Sequence, residues 1–321
     1  MSNHKYAYSV LVCTLVLGIW AAIPDYWFGG RTSLIYLDDN GKQHRTPLPV
    51  YIANAILPEE EVLNLGLKTI AVLPSGEIKF AGYRLGSKLV DDAREDFRKG
   101  RMQGFYDQYS WLGFDSPGSY AYCQAWNVLT GSNYDGMYLS CPLTVKTERT
   151  YPVVFFCHGY LGGWELYQGI FGRLDNCYVV SIGTRDLSGI FTYNDVNKIF
   201  TKYLPYLKAE GYNIDEQQLH LIGLSNGGSA SNVALANFSN KFKSITFISS
   251  PCNVYSRSNA KVILVGGGKD NAAMGIPWSK RRLEQCGTKC SVMYDPEENH
   301  YMMIREVDEM IEFLYNEMEI S

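Results

Sequence analysis

Ser225 lies at the centre of a short pattern of residue types suited to nucleophilic chemistry. Residues 223–227 read Gly-Leu-Ser-Asn-Gly, so glycines stand two positions before and two positions after the serine. A serine hydroxyl that projects from a sharp bend between a strand and a helix needs neighbours without a Cβ at these two positions. We therefore assign Gly223 and Gly227 to the bend. The pattern is short enough to occur by chance. Whether it marks a nucleophile depends on the structure predicted for the residues on each side of it.

The residues on each side of Ser225 fit a bend of this kind. Residues 219–224 form an apolar run typical of a buried strand, and small residues from Ser225 onward are typical of a helix that packs closely. After such a bend, the backbone N–H of Asn226 and the beginning of the helix face the reacting centre. Their positive potential would stabilise a developing oxyanion. The sequence thus predicts a nucleophile elbow.

A serine hydroxyl needs a general base, and the base needs a carboxylate that orients it. Of the five histidines, His300 lies in a loop between the last predicted strand, residues 291–294, and the last predicted helix. In a sheet of parallel strands, that loop returns to the elbow, so His300 is the candidate base. The other histidines lie before the apolar N-terminal run, in the N-terminal region, at a strand end and inside the elbow strand: His4, His44, His158 and His220.

Asp270 is the candidate for the orienting carboxylate. It follows the predicted strand 261–265 through a glycine-rich link and comes between Ser225 and His300 in chain order. This places it at the carboxyl edge of the sheet, where open sheets bind their ligands. A purely structural role in an Asx turn is the alternative for Asp270. The competing acids are Asp186, Asp295, Glu297 and Glu298.

The part of the chain that would position these residues alternates strands with helices. Strands are predicted at residues 134–140, 151–157, 177–182, 219–224, 244–249, 261–265 and 291–294, and helices at residues 165–174, 194–209 and 304–318. Such alternation predicts an α/β fold with a mostly parallel sheet and helices on both faces.

The chain divides into three predicted segments: residues 1–24 as a signal or membrane anchor, 25–115 as an extension of unknown role, and 116–321 as a catalytic domain. Residues 6–23 carry no charge and follow Lys5. Such a run predicts a membrane-anchored protein with its catalytic domain outside the cytoplasm, or a secreted one if the run is removed. In the extension we predict a strand at residues 32–37 and a hairpin formed by residues 68–73 and 77–83.

Charge and cysteine content narrow the possible partners. The net charge is −4 and no basic run exceeds residues 280–282, so no nucleic acid partner is expected. Eight cysteines are present, and Cys13 in the apolar run leaves seven, an odd number. For Cys286 and Cys290, a local disulfide or two thiols are both favoured over a metal site, because a second pair of ligands is absent nearby.

The order Ser225, Asp270, His300, with residues 158–163 (His-Gly-Tyr-Leu-Gly-Gly) upstream, resembles the α/β-hydrolase superfamily. Within it, residues 214–228 and the His-Gly-Tyr loop look most like the esterase branch of dienelactone hydrolases, cutinase-like polyester hydrolases and polyhydroxyalkanoate depolymerases. The resemblance covers residues 120–321.

The resemblance implies an α/β-hydrolase fold with an N-terminal extension, and an oxyanion hole formed by the backbone N–H groups of Tyr160 and Asn226. It also implies hydrolysis of a small-molecule or polymeric carboxylic ester by Ser225, His300 and Asp270, with no metal or organic cofactor. A peptidase or acyltransferase with the same triad, and a non-catalytic binding domain, remain open. Candidate acyl-pocket residues are Trp164, Tyr255 and Trp278.

Overall fold

The computed structural model describes residues 32–57, 78–80, 83–101, 120–160, 165–184 and 188–320, together with isolated helical residues at 61, 65, 68, 69 and 72. The predicted N-terminal anchor, Trp164, Asp186 and the boundary at residue 116 lie outside the described residues. Within them, no helix combines the length and apolar composition that crossing a membrane requires.

The larger of the two sheets in the described residues has nine strands. In their spatial order they are β2 (Gln43–His44), β1 (Thr32–Leu37), β5 (Asp135–Ser140), β7 (Tyr178–Ile182), β6 (Tyr151–Cys157), β8 (Ile214–Leu224), β9 (Ser244–Ile248), β10 (Lys261–Gly267) and β11 (Cys290–Asp295). The strands from β7 to β11 are parallel to one another. The strands β5, β1 and β2 continue the sheet with antiparallel pairs.

Within the described residues, helices of four residues or more connect these strands and cover the sheet. In chain order they are α1 (Leu48–Ile56), α2 (Ser87–Arg98), α3 (Tyr120–Thr130), α4 (Glu165–Phe171), α5 (Tyr193–Lys198), α6 (Leu204–Ala209), α7 (Gly228–Asn237), α8 (Ile276–Gln285), α9 (Met302–Arg305) and α10 (Val307–Met318).

Strand β6 shows why the sheet has a core on each face. All seven of its residues are buried, and successive side chains point to opposite faces. Val153 and Phe155 pack with α5, α6, α7 and α8, whereas Val154 and Phe156 pack with α4, α9 and α10. Truncating Phe155 to alanine would therefore cost about 3–5 kcal/mol. The predicted fold class, a mostly parallel sheet with helices on both faces, is confirmed.

The predicted helix at residues 194–209 contains an irregular turn. Residues Ile199–Tyr203 form a π-helical turn between α5 and α6. Pro205 follows this turn and has no N–H to donate to the carbonyl of Thr201, so the regular hydrogen-bond ladder is interrupted there. Lys198 precedes this turn and Lys202 lies within it. Both form ion pairs with the buried carboxylate of Asp135, with N–O distances of 2.9 and 2.7 Å.

Two strands from residues 25–115 belong to the main sheet. β1 pairs along its whole length with β5, from Thr32 opposite Ser140 to Leu37 opposite Asp135. β2 then pairs with β1 at the edge of the sheet. The region that the sequence sets apart as an extension therefore contributes strands to the sheet of the predicted catalytic domain.

The predicted hairpin in this region is wrong in its pairing. Lys68, Thr69 and Val72 are helical, and the strand β3 (Ile78–Phe80) pairs instead with β4 (Tyr83–Leu85). Only two residues connect β3 and β4, the connection length that hairpins favour. The Pro-Ser-Gly sequence at residues 74–76 signals a turn but does not select which segments pair.

Candidate active site

Ser225 occupies a strained bend between β8 and α7. Its φ angle is 52°, in the left-handed region that residues with a side chain rarely adopt. A single helical turn, Ser225–Gly227, follows immediately and leads into α7. The bend therefore holds the hydroxyl at the carboxyl end of β8, in a conformation that the surrounding structure must maintain.

Close backbone packing explains both glycines of the bend. A Cβ on Gly223 would lie 2.4 Å from the carbonyl oxygen of Gly227, and a Cβ on Gly227 would lie 2.1 Å from the carbonyl oxygen of Cys157. Both distances are shorter than carbon and oxygen can approach. A side chain at position 223 would push the helical turn away from β8, and a side chain at position 227 would push the bend away from the end of β6.

His300 bridges Ser225 and Asp270. Its Nδ1 lies 2.9 Å from Asp270 Oδ2, and its Nε2 lies 3.0 Å from Ser225 Oγ. Because a carboxylate oxygen can only accept, Nδ1–H is the donor to Asp270, and the lone pair of Nε2 accepts from the Ser225 hydroxyl. The structure thus joins the three predicted residues in one hydrogen-bonded chain.

The second carboxylate oxygen of Asp270 has its own donor. The backbone N–H of Ala272 donates to Oδ1 at 2.9 Å, which is the Asx turn considered as the structural alternative. The turn fixes the carboxylate, so that Oδ2 faces His300. The catalytic and the structural interpretations of Asp270 are therefore compatible.

The competing acids have other partners. Glu297 is exposed and pairs with Lys269 at 2.6 Å, and Glu298 pairs with Arg305. Asp295 Oδ1 accepts the backbone N–H of Glu297 at 2.7 Å. Among the acids of the described residues, the structure places Asp270 against the ring of His300.

The loop after β6 passes directly over the nucleophile. A Cβ on Gly159 would lie 3.2 Å from Ser225 Cβ and 3.9 Å from Ser225 Oγ. Tyr160 follows in a turn and is partly buried. Asn226 is the second residue of the helical segment, where N–H groups have no intrahelical acceptor. Asn226 thus adjoins Ser225 in the helical turn, and Tyr160 comes directly after the glycine that contacts Ser225 from the loop.

Two side chains of the elbow, Asn226 and Ser229, hold the loop after β7 in place. Asn226 Nδ2 donates to the carbonyl of Ser188 at 2.9 Å. Ser229 Oγ accepts the N–H of Phe191 at 2.7 Å and donates to the carbonyl of Asn226 at 2.8 Å. Ser188 and Ser229 were not predicted, because they are common residues in loops and helices and their partners are 38 positions away.

His158 and His220 are buried histidines with structural partners. His158 Nε2 accepts the N–H of Thr184 at 3.1 Å, so its Nδ1–H donates to the carbonyl of Gly159 at 2.6 Å. His220 Nδ1 lies 2.8 Å from Ser244 Oγ. Burial, followed by the charge of Lys243, lowers the pKa of His220 to about 3. His158 thus supports the backbone of the loop beside Ser225, whereas His220 links β8 to the first residue of β9.

Among the described residues, three carboxylates lie close enough together to bind a metal ion. Oxygens of Asp295, Glu298 and Glu306 lie within 4.8 Å of one another. Burial, with the negative charges of Glu298 and Asp295, raises the pKa of Glu306. Since Arg305 already pairs with Glu298, these carboxylates are better explained as an ionic network than as a cation site.

Two of the aromatic residues suggested for an acyl pocket pack on each other. The rings of Tyr255 and Trp278 meet edge to face at 5.1 Å, and the hydroxyl of Tyr255 donates to the carbonyl of Cys252. Nearby, Cys286 and Cys290 are both thiols and form no disulfide. The structure gives Tyr255 a packing role.

No protein-family model and no curated protein sequence matches the chain. Among solved structures, an acylaminoacyl peptidase from Pyrococcus horikoshii is similar with 15% identity over 57% of this chain and 39% of that chain, at a TM-score of 0.46. A thermostable esterase is similar with 18% identity over 58% and 60%, at a TM-score of 0.47. Dipeptidyl peptidase 4 from Porphyromonas gingivalis shows 12% identity over 58% and 34%, at a TM-score of 0.44.

Each match spans less than two thirds of the similar protein. At these identities and scores, the likeness carries no argument about activity. The assignment of an activity therefore depends on the geometry of the site.

Proposed function

We propose that this chain is a serine hydrolase that cleaves carboxylic esters, with Ser225 as nucleophile, His300 as base and Asp270 as the carboxylate that orients the base. The observation that supports this most strongly is the position of His300, within 3.0 Å of Ser225 Oγ and 2.9 Å of Asp270 Oδ2. Each distance is short enough for a hydrogen bond, and the donors and acceptors are complementary.

The first half of the reaction forms an acyl-enzyme. Ser225 Oγ attacks the acyl carbon while its proton passes to Nε2 of His300, and the carbonyl oxygen becomes an oxyanion. The N–H groups of Asn226 and of Tyr160, together with the start of α7, would stabilise this charge. The bond to the leaving alkoxide then breaks, and His300 returns the proton to it.

In the second half, water attacks the acyl carbon. His300 takes one proton from the water, and the new oxyanion collapses to release the acid. Ser225 Oγ leaves and recovers its proton from His300. The Asp270 carboxylate stabilises the imidazolium that forms twice in each cycle.

The same residues would support cleavage of a peptide or transfer of the acyl group to an alcohol. The ester assignment rests on the resemblance of the elbow and loop sequences to the esterase branch. A hydrolysis profile distinguishes these reactions: matched esters of increasing acyl chain length, an amide and a peptide are compared with the same enzyme, with and without an added alcohol. We expect turnover to be fastest with the esters.

The proposal is tested with a fluorophosphonate, which reacts with an activated serine whatever the natural substrate. We expect one adduct per chain, on the peptide that contains Ser225, and no adduct in Ser225→Ala. Ser256→Ala is the matched control, since this serine is exposed and its backbone carbonyl binds Thr288 rather than a residue of the site. A folded wild-type chain that takes no label, or takes it equally at several serines, would identify a non-catalytic binding domain instead.

A further inference from the structure

We propose that helix α2, from the N-terminal region, belongs to the catalytic apparatus, and that Asp96 is a positioning residue that holds His300 in line with Ser225 by way of Asn299. The inference rests on the proposed role of His300 as the base. It assigns a role to a helix that lies outside the part of the sequence resembling known hydrolases.

Helix α2 contacts the residues on both sides of His300. Asn299 Nδ2 donates to Asp96 Oδ2 at 3.3 Å, and the hydroxyl of Tyr301 donates to the carbonyl of Leu89 at 3.3 Å. Leu89 and Asp96 both belong to α2. The turn that carries His300 is thus held by one helix at the residue before it and at the residue after it.

The amide of Asn299 has only one orientation that satisfies its neighbours. The backbone N–H of Tyr301 lies 2.8 Å from one end of the amide, and since an N–H can only donate, that end must be Oδ1. The other end is then Nδ2, which needs an acceptor because Asn299 is buried. Asp96 Oδ2 is that acceptor. The side chain of Asn299 therefore links α2 to the backbone of the His300 turn.

Asp96 is itself held by charge. It is 1% exposed, and its carboxylate lies 3.3 Å from Nε of Arg101 and 3.4 Å from a terminal nitrogen of Arg305. A buried carboxylate with two guanidinium partners has little freedom to move. Arg305 belongs to α9, which begins directly after the turn, so Asp96 also fixes the far end of the His300 segment.

The position of this segment decides whether the base reaches the nucleophile. Ser249 Oγ donates to the carbonyl of His300 at 2.9 Å and supports the turn from the sheet, whereas Asp96 and Leu89 support it from α2. The bond from Ser225 to His300 is 3.0 Å long, so a shift of about 1 Å in the ring would break it. Misplacement of that size can reduce a rate on the order of a hundredfold.

The test measures the rate of fluorophosphonate labelling of Ser225 in Asp96→Ala, in Asn299→Ala and in the double variant. We expect each single change to slow labelling by roughly tenfold to a hundredfold. If Asp96 acts through Asn299, the double variant should be little slower than the slower single variant, because the second change removes a link already lost. Independent effects would multiply, and that result would overturn the inference.

Glu95→Ala is the matched control. Glu95 is the neighbour of Asp96 on α2, carries the same charge and pairs at the surface with Lys99. We expect wild-type labelling rates from it. Equal rates in Asp96→Ala and Glu95→Ala would contradict the proposal.

Two further measurements distinguish positioning from loss of stability. The downfield proton resonance of the His300 Nδ1–H bonded to Asp270 should shift or broaden in Asp96→Ala and stay unchanged in Glu95→Ala. If Asp96→Ala does not fold, Asn299→Ala, which removes no charge, takes its place in the comparison with Glu95→Ala. Asp96→Asn, which keeps an acceptor oxygen for Asn299, should then label faster than Asn299→Ala. Labelling losses that follow only the melting temperature would overturn the inference, and an unlabelled wild-type chain would overturn the proposed function as well.

Discussion

His300 has an acceptor at one ring nitrogen and a donor at the other, and its neighbours therefore determine its tautomer. Asp270 can only accept from Nδ1–H, which leaves the Nε2 lone pair for the hydroxyl proton of Ser225. The Asx turn at Ala272 keeps the carboxylate oriented toward His300, so that in the proposed reaction this arrangement would exist before a substrate binds. Preorganisation of this kind lowers the cost of reaching the transition state.

The first prediction concerns Asp270→Asn. The amide oxygen can still accept from Ala272, so the turn and the fold should survive. Its NH2 would then face Nδ1 of His300, favour the wrong tautomer and reduce turnover on the order of ten-thousand-fold. Ester hydrolysis and the melting temperature are measured together. Glu297→Gln is the control, because this exposed acid pairs with Lys269 and should have wild-type turnover; near-normal turnover in Asp270→Asn would assign the orienting role to another acid.

The sequence alone could predict the three residues that the structure joins by hydrogen bonds, Ser225, His300 and Asp270, but not the residues that support them. Ser225 has neighbours two positions away that reveal its bend, and His300 and Asp270 each follow a recognisable strand. Asp96 and Asn299 lie 203 positions apart, and their types are ordinary for a helix and a loop. Their importance comes from a contact that no local pattern encodes.

Among the elements, strand β8 contains a group whose protonation opposes folding. His220 is buried within β8, and burial and the nearby Lys243 lower its pKa from the usual 6.5 to about 3. In the unfolded chain the ring would take up a proton as the pH falls below about 6.5. Because the unfolded chain then binds more protons than the folded one, His220 reduces stability progressively between pH 6.5 and pH 3.

A second prediction concerns His220→Gln. Glutamine cannot titrate and can still exchange a hydrogen bond with Ser244, so the variant should lose less stability in acid than the wild type. The free energy of unfolding is measured by urea denaturation at a series of pH values for both proteins. We expect the wild type to lose a few kcal/mol more than the variant between pH 6.5 and pH 3, since each unit of pKa shift is worth about 1.4 kcal/mol.

Carboxyl groups also become protonated as the pH falls toward 3. The quantity to compare is therefore the difference in the free energy of unfolding between the wild type and His220→Gln at each pH. Asp135 is an example of such a carboxyl group. Burial raises its pKa, but the positive charges of Lys198 and Lys202 together lower the pKa by more than burial raises it, so the net shift is downward. Its contribution to stability is lost only as the pH falls below the usual value of 3.8, at the acid end of the series, and equally in both proteins. A constant difference between the wild type and His220→Gln across the series would contradict the assignment to His220.

Elements with a strong local pattern were predicted well. The strands at residues 32–37 and 151–157 have the bounds observed for β1 and β6, and the remaining core strands differ by few residues except β8, which begins at Ile214. The hairpin partner of β3 and the π-helical turn at residues 199–203 were missed. Pairing depends on which segments meet in space, and a one-residue change in helical hydrogen bonding leaves the apolar spacing almost unaltered.

At the scale of the whole molecule, the N-terminal region is integrated with the rest of the chain at two places. Its strands β1 and β2 extend the sheet beyond β5, and its helix α2 contacts the His300 turn. Neither connection could be predicted from the sequence, because edge pairing and helix docking are long-range contacts.

The last prediction concerns residues 6–23, which lie outside the described residues. We propose that this uncharged run anchors the protein to a membrane. The full-length protein should sediment with membranes, whereas a shortened protein that begins at Asp25 should stay in solution and still be labelled at Ser225. The control at full length is the double variant Leu15→Lys, Leu17→Lys. A lysine at the centre of a membrane helix costs about 2.5–3.5 kcal/mol, so this variant should no longer sediment with membranes. Full-length protein that stays in solution with its N-terminus intact would contradict the anchor.

The pairing of β1 with β5 also has a consequence for the way the protein is made. Thr32 pairs with Ser140, so β1 leaves the ribosome roughly a hundred residues before its partner does. At about 5–20 residues per second, that interval lasts on the order of 5–20 s. Throughout it, Leu34, Ile35, Tyr36 and Leu37, all buried in the finished sheet, lack their neighbours in β5. A nascent chain in this condition is a natural client for a chaperone that binds short apolar segments near the ribosomal exit.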